Sequence, residues 1–219
     1  MAPGTSGWVV VGHSGFRNIA VRSQVFRVQV RYWLEMRVAT LSEMLEEVIR
    51  LGEATGMEAH AHEMRGELEG RLATVRAALA GSPTPRVIAL ESLDPPRVAG
   101  FWIPEMVSIA GGEDVAGDPG LNPAEVVWGE LESLGAEVVV VMPAGSATDA
   151  QAQAMEHWEQ IEALGAARVY AVDASAAFTD PGPRLVDGVE LLAHLLHPEL
   201  MPPPGNAGFL ELSAPVPKP

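Results

Sequence analysis

Arg86–Asp114 reads RVIALESLDPPRVAGFWIPEMVSIAGGED, the one stretch of the chain in which a strand, an aromatic loop and a helix follow in close order. Val87, Ile88, Ala89 and Leu90 form an almost unbroken apolar run, which predicts a short strand covered on both faces, as in an α/β sheet. Asp94, Pro95 and Pro96 stop it. After Gly100, Phe101 and Trp102 put two large rings on a loop, Pro104 starts a helix, and Gly111 and Gly112 end it. Ligands of α/β proteins bind at loops that leave the carboxyl ends of strands, so this loop is the first place to look for one.

Two further units of the same kind follow. Val138–Met142 predicts a second strand, preceded by a helix from Pro123 to Leu134 that Asn122 caps and Gly135 ends, and followed by a helix from Thr148 to Leu164. Val169–Val172 predicts a third strand, then a loop over Asp173–Gly182 and a helix from Pro183 whose Leu185, Val186, Val189, Leu192, Ala193 and Leu196 form a wide apolar face. Alternating strands and helices imply an α/β fold, a parallel sheet with helices on both faces. The Pro-rich tail, residues 201–219, reads as irregular.

Upstream, Leu41, Met44, Leu45, Val48 and Leu51 recur on one helical face opposite Glu43, Glu46 and Glu47, with Thr40 or Ser42 as cap and Gly52 and Gly56 at the end. Met64, Leu68, Leu72, Val75 and Leu79 predict a longer helix up to Gly81. Gly66 and Gly70 weaken it by about 1 kcal/mol each relative to alanine, so close packing or tertiary support is expected there. The domain plan is therefore an atypical segment 1–38, a helical segment 39–81, an α/β lobe 82–200 and the tail.

Residues 1–38 differ in composition from everything after them. Met1–Thr40 holds five arginines against the single acid Glu35, so residues 41–219 carry a net −19, the whole chain's −15 less this segment's +4. WVVVG and VRSQVFRVQVRYW have strand-like patterns; a mis-assigned start and disorder fit the same composition.

The net charge of −15 repels phosphate backbones and anionic lipid headgroups, which argues against nucleic-acid and membrane-surface partners. With no cysteine there is no disulfide, thiolate zinc site or cysteine nucleophile, although compartment stays open on that count. The early apolar run Trp8–Val11 is far shorter than the roughly 7–15 residues of a secretory core, and nothing approaches the roughly 18 of a membrane span.

Catalytic patterns fail on inspection. Gly12–Gly15 resembles a nucleophile elbow around Ser14, but the closing glycine is replaced by Phe16 and the following residues read as strand, so a turn between strands is the ordinary explanation. His60 and His62 lie about 200° apart around a helix and cannot chelate one ion. His194 and His197 share a face in a last helical turn, where imidazolium complements the dipole, and no third ligand accompanies them. The pairs Glu46–Glu47 and Glu113–Asp114 read as solvated, and neither a dinucleotide fingerprint nor a P-loop is present. The chain reads as a binding protein, not an enzyme. Phe101, Trp102, Phe178 and Arg184 all lie on loops leaving strands or at the helix start beyond, and are the candidate ligand-binding residues.

The segments VAGFWIPEMVSIAGGEDV, EVVVVMPAG and RVYAVDASAAFTDPGPRLVDGVELLAHLLHPEL, together with LSEMLEEVIRLGEATG, resemble the C-terminal half of cobalamin-binding, BtuF-like substrate-binding proteins of ABC importers. The likeness runs from about Thr40 to Leu200. It implies two α/β lobes joined by a long stiff helix, here about Met57–Ala80, with a flat corrinoid held edge-on between them; an iron siderophore or haem is the alternative ligand. It also implies that Trp102 and Phe178 are cleft aromatics, that Arg184 is a polar contact and that Glu105, at its helix start, meets the arginines of the ABC transporter permease. The family's N-terminal lobe has no counterpart in residues 1–38, so a second chain or a missing N-terminal lobe is expected to complete the cleft. No cofactor beyond a bound metal chelate is implied. The family is extracytoplasmic, whereas a genuine start at Met1 makes the chain cytoplasmic, so localisation stays open.

Overall fold

The computed structural model describes residues 10–13, 33–36, 38–205 and 208–214. Two short strands, β1 (Val10–His13) and β2 (Trp33–Met36), pair in parallel. They meet the strand reading of WVVVG in part; most of the second N-terminal strand reading, and Ser14 with the elbow, lie outside the described residues.

Helix α1 (Leu41–Thr55) starts where the sequence places it. Thr40 Oγ1 accepts from Glu43 N and Glu43 reaches back to the Thr40 N–H, a reciprocal cap, while Gly56 ends the helix at φ 72°. Helix α2 (Glu58–Ala78) buries Ala61, Leu68, Leu72 and Val75 against α1 and, through Arg71, reaches acids on a later helix. The expected close packing at Gly66 and Gly70 is absent. Both face solvent with nothing near a built Cβ, and the opposite, apolar stripe holds the helix.

The main sheet has the order β6-β4-β3-β7-β8-β9. Its centre is parallel: β3 (Arg86–Leu93), β7 (Val138–Val141) and β8 (Arg168–Val172) pair in register, Leu90 beside Val141 and Val141 beside Ala171. Alternate residues feed two cores. Val87, Ala89, Val138, Val140, Tyr170 and Val172 pack with α1, α2, α3 (Ile103–Ile109) and α8 (Leu185–Leu196). Ile88, Leu90, Val139, Val141, Val169 and Ala171 face the other way, toward α4 (Trp128–Glu132), α5 (Ala147–Glu156) and α6 (Trp158–Ala163). The apolar runs are continuous because both faces are covered, as predicted.

The flanks depart from the all-parallel expectation. Asp94 and Pro95 turn β3 into an antiparallel strand, β4 (Pro96–Val98), and β5 (Glu113–Asp114) pairs parallel with the start of β3. The helix expected from Pro123 does not form there. Ala124–Glu125 is β6, paired with β4, and only Trp128–Glu132 is helical. At Gly100 a Cβ would lie 2.5 Å from both Leu121 O and Pro123 N, so the backbone of 121–123 crosses tightly over it, and the residues that follow pair with β4 instead of coiling. The predicted helix over 148–164 breaks at His157, whose ring stacks on Trp128. The tail is not irregular throughout: β9 (Phe209–Leu212) closes the sheet antiparallel to β8, with Phe209 edge-on to Tyr170 and His194.

Candidate functional site

The carboxyl ends of β3, β7 and β8 converge on an open cavity of about 260 Å³. Glu91 comes from the end of β3, Met142 follows β7, and Phe178 and Thr179 end the short helix α7 (Ala174–Ala177) that follows β8. Phe101 and Trp102 complete the wall. The two predicted aromatic loops therefore do meet, with Trp102 Nε1 donating a buried hydrogen bond of 2.8 Å to Phe178 O.

Trp102 and Phe178 are each 4% exposed, so most of each ring is core and only its margin reaches the cavity. Phe101 is half-buried, its centroid 5.7 Å from that of Trp102 and its plane within 28°, so the two rings stack and Phe101 is the more exposed of them. Its backbone has φ 52°, a conformation costly for a bulky residue that persists because the surroundings over-determine it. Phe101 N donates to Leu121 O at 2.6 Å and Gly120 N to Phe101 O at 2.9 Å, so the segment after β5 clamps the turn from outside. Gly188 of α8 allows the close approach behind Phe178: a Cβ there would lie 2.6 Å from Ala177 O and 2.9 Å from Phe178 Cε1.

Arg184 is not part of this cavity. It is exposed, 3.8 Å from Asp180, and lines a second cavity of about 350 Å³ with Arg71, Asp173, Asp187 and Glu190. There Arg71 Nη2 meets Asp187 at 2.6 Å and Glu190 at 2.7 Å while its Nε donates to Glu190 at 2.8 Å, a bidentate clamp tying α2 to α8. The paired acids hold the guanidinium above its ordinary range, the Glu190 hydrogen bond contributing most.

Glu105 has a local use. Its Oε2 accepts from Leu41 N at 2.7 Å and its Oε1 from Ser42 Oγ at 3.1 Å, so the first turn of α3 supplies a carboxylate to one open N–H and one hydroxyl at the start of α1.

Two acids read as solvated are not. Glu47 is 4% exposed, with Oε2 on Arg50 at 2.6 Å and a buried Oε1 without a partner among the described residues. Asp114 Oδ1 accepts from Ala116 N and Gly117 N at 3.0 and 2.8 Å, and its Oδ2 is likewise buried without a partner among them. Burial pushes its pKa up to about 6 against the pull of those two hydrogen bonds. The histidines at the end of α8 are structural: His194 Nδ1 lies 2.8 Å from Met201 O, and buried His197 Nε2 lies 3.2 Å from Gly111 O. Among the described residues no cluster of three or more ligating side chains could hold a metal ion.

Sequence reasoning missed Glu91, Met142 and Thr179. Only Glu91 left a trace, as an acid directly after the apolar run of β3.

No protein-family model and no curated protein matches the chain. Solved structures do. A periplasmic binding protein from Veillonella parvula superposes with a TM-score of 0.61 at 23% identity, over 73% of this chain and 57% of that one. The fold is that of periplasmic binding proteins. The periplasmic vitamin B12 binding protein BtuF of Vibrio cholerae gives 0.60 at 20% identity, over 77% and 66%. The periplasmic heme-binding protein RhuT from Roseiflexus gives 0.66 at 16% identity, over 87% and 75%. The chain thus spans less than two thirds of the length of the first of these and 66% of the second.

Proposed function

We propose that the chain is a substrate-binding protein of an ABC importer, or the C-terminal lobe of one, that holds a flat metal chelate, a corrinoid in the leading reading, against the Phe101–Trp102 wall. The observation that carries this is the convergence of three parallel strand ends on one aromatic cavity, in a fold shared with proteins that bind vitamin B12 and haem. Haem or an iron siderophore is the second reading, supported by the likeness to RhuT.

The cavity's size supports a two-walled cleft. About 260 Å³ lies below the roughly 300–1,000 Å³ of pockets that enclose a ligand, so a facing wall from another lobe or chain is part of this reading. In it α2 is the connecting helix, stiffened against the lobe by the Arg71 clamp. Arg184, on the separate cavity, contacts only a ligand large enough to reach round α7. Glu105 keeps free lone pairs beyond its two hydrogen bonds and remains the proposed contact for basic residues of the permease.

Titrating the folded protein with cyanocobalamin, haemin and ferrichrome tests the proposal, through tryptophan fluorescence and the chelate's visible spectrum. Saturable quenching that Trp102→Phe removes supports it. No change at high micromolar concentration of all three counts against binding by this chain alone.

A further inference from the structure

Glu91 is the only charged side chain among the described residues that line the aromatic cavity. Its position is built rather than incidental. β3 and β4 pair through Leu90 with Val98 and then Ser92 with Arg97, so two steps along β3 oppose one along β4 and Glu91 is the extra residue of a bulge. Strict alternation puts position 91 on the face of Val87 and Ala89, the face from which Ala99, Trp102, Met142 and Phe178 line the cavity. The bulge leaves Glu91 on that face and carries Leu93 to the opposite one beside Leu90. The carboxylate is partly desolvated, and its cationic neighbour is loose: Arg97 Nη1 stands 3.7 Å away, its side chain is 44% exposed, and it does not line the cavity. Arg71 and Arg184 line the second cavity instead. Among the described residues the aromatic cavity thus presents one carboxylate, that of Glu91, and no cation.

From this placement we infer that Glu91 selects the chelate by its periphery, accepting hydrogen bonds from carboxamide N–H groups and repelling carboxylates. The inference rests on the chelate-binding reading above and narrows it. A corrinoid carries acetamide and propionamide arms that can donate to Glu91. Haem carries two propionates, which would meet a fixed negative charge in a half-dry site where like charges are weakly screened. Burial pushes the Glu91 carboxyl above its usual range, countered by Arg97. That makes the group a good acceptor without making the site favourable to a second anion.

The test compares dissociation constants for cyanocobalamin and for haemin in three proteins at pH 8: the parent, Glu91→Gln and Arg97→Gln. The readout is the ratio of the two constants, so a uniform loss of affinity does not move it. Glu91→Gln removes the charge at nearly constant shape, and the preference for cobalamin over haemin should fall about tenfold. Arg97→Gln strips the carboxylate of its counterion from outside the cavity and should raise the preference by a few fold. Circular dichroism of each variant confirms the fold. A ratio unchanged in both variants, with either chelate bound, overturns the role of Glu91 and leaves the chelate reading standing. Binding of neither chelate to the folded parent overturns both.

Discussion

Asp114 gives the sharpest stability prediction. Its native pKa of about 6 stands against an ordinary 3.8, with burial as the main cause and Asp118 adding a small push in the same direction. Between those values the unfolded chain is ionised at this position while the folded chain holds a proton. Stability from this group is therefore fully present below pH 3.8 and is lost as pH rises through about 6. A shift of that size corresponds to about 3 kcal/mol, at about 1.4 kcal/mol per pH unit. Asp114→Asn keeps an oxygen to accept from Ala116 N and Gly117 N but never ionises. Its new N–H donor lands where Oδ2 has no partner, at a pH-independent cost of about 1–3 kcal/mol. The useful quantity is thus the difference in unfolding free energy between variant and parent, measured by urea denaturation from pH 3.5 to 8. The variant should gain about 3 kcal/mol on the parent across pH 4 to 6.5 and run parallel to it above. A difference constant across that range would show that Asp114 ionises in the folded protein as it does in water, and the reasoning from burial would fail.

Three other perturbations read the site's construction. Gly188→Ala should cost about 1–3 kcal/mol by denaturation despite its better helix propensity, because the methyl collides with Ala177 O and Met106 Cε, each 2.6 Å away; a stabilised variant would mean that α8 can slide off α7. Trp102→Phe leaves the buried Phe178 carbonyl without its donor and should cost about 1–3 kcal/mol, read in the same assay, while unchanged stability would mean that the bond is replaced. Glu105→Ala removes the acceptor of the Leu41 N–H at the start of α1, leaving the Thr40 cap, and should cost about 0.5–2 kcal/mol, with faster amide exchange at Leu41 as its local signature; exchange unaltered at Leu41 would show that this bond is not held in solution.

What was legible in the chain and what was not divides along a physical line. The central strands announce themselves because both faces are buried: VVVV at 138–141 needs no partner to be recognised. The Thr40 cap is equally local, since its partner Glu43 is three residues away. Errors arise where a distant segment decides. Asn122–Pro123 has the chemistry of a helix start, but the missing Cβ of Gly100 lets that backbone cross closely and pair as an edge instead. Pro96 reads as a stop, yet a strand tolerates a proline as its first residue, and β4 begins on it. Glu47 and Asp114 look like solvated acids because nothing nearby in sequence shows what covers them.

The site falls between these cases, and the way it does so bears on function. Phe101, Trp102 and Phe178 could be named from their loops, and they do share a wall, but Trp102 and Phe178 are 4% exposed and bonded to each other. Their first effect is to fix the shape of the wall. Arg184, chosen by the same loop logic, is carried to another cavity because α8 begins on the far side of α7. The residue best placed to discriminate is instead Glu91, which sits inside a strand, on the face from which the cavity is lined. In the proposed reading the aromatic wall holds flat ligands of any periphery and the acid at its edge discriminates among them, which separates affinity from selectivity onto different residues. Substitutions at Trp102 should then weaken all flat chelates together, whereas substitutions at Glu91 should reorder them. If Trp102→Phe reordered them and Glu91→Gln weakened them uniformly, the division would be the reverse of the one the geometry supports.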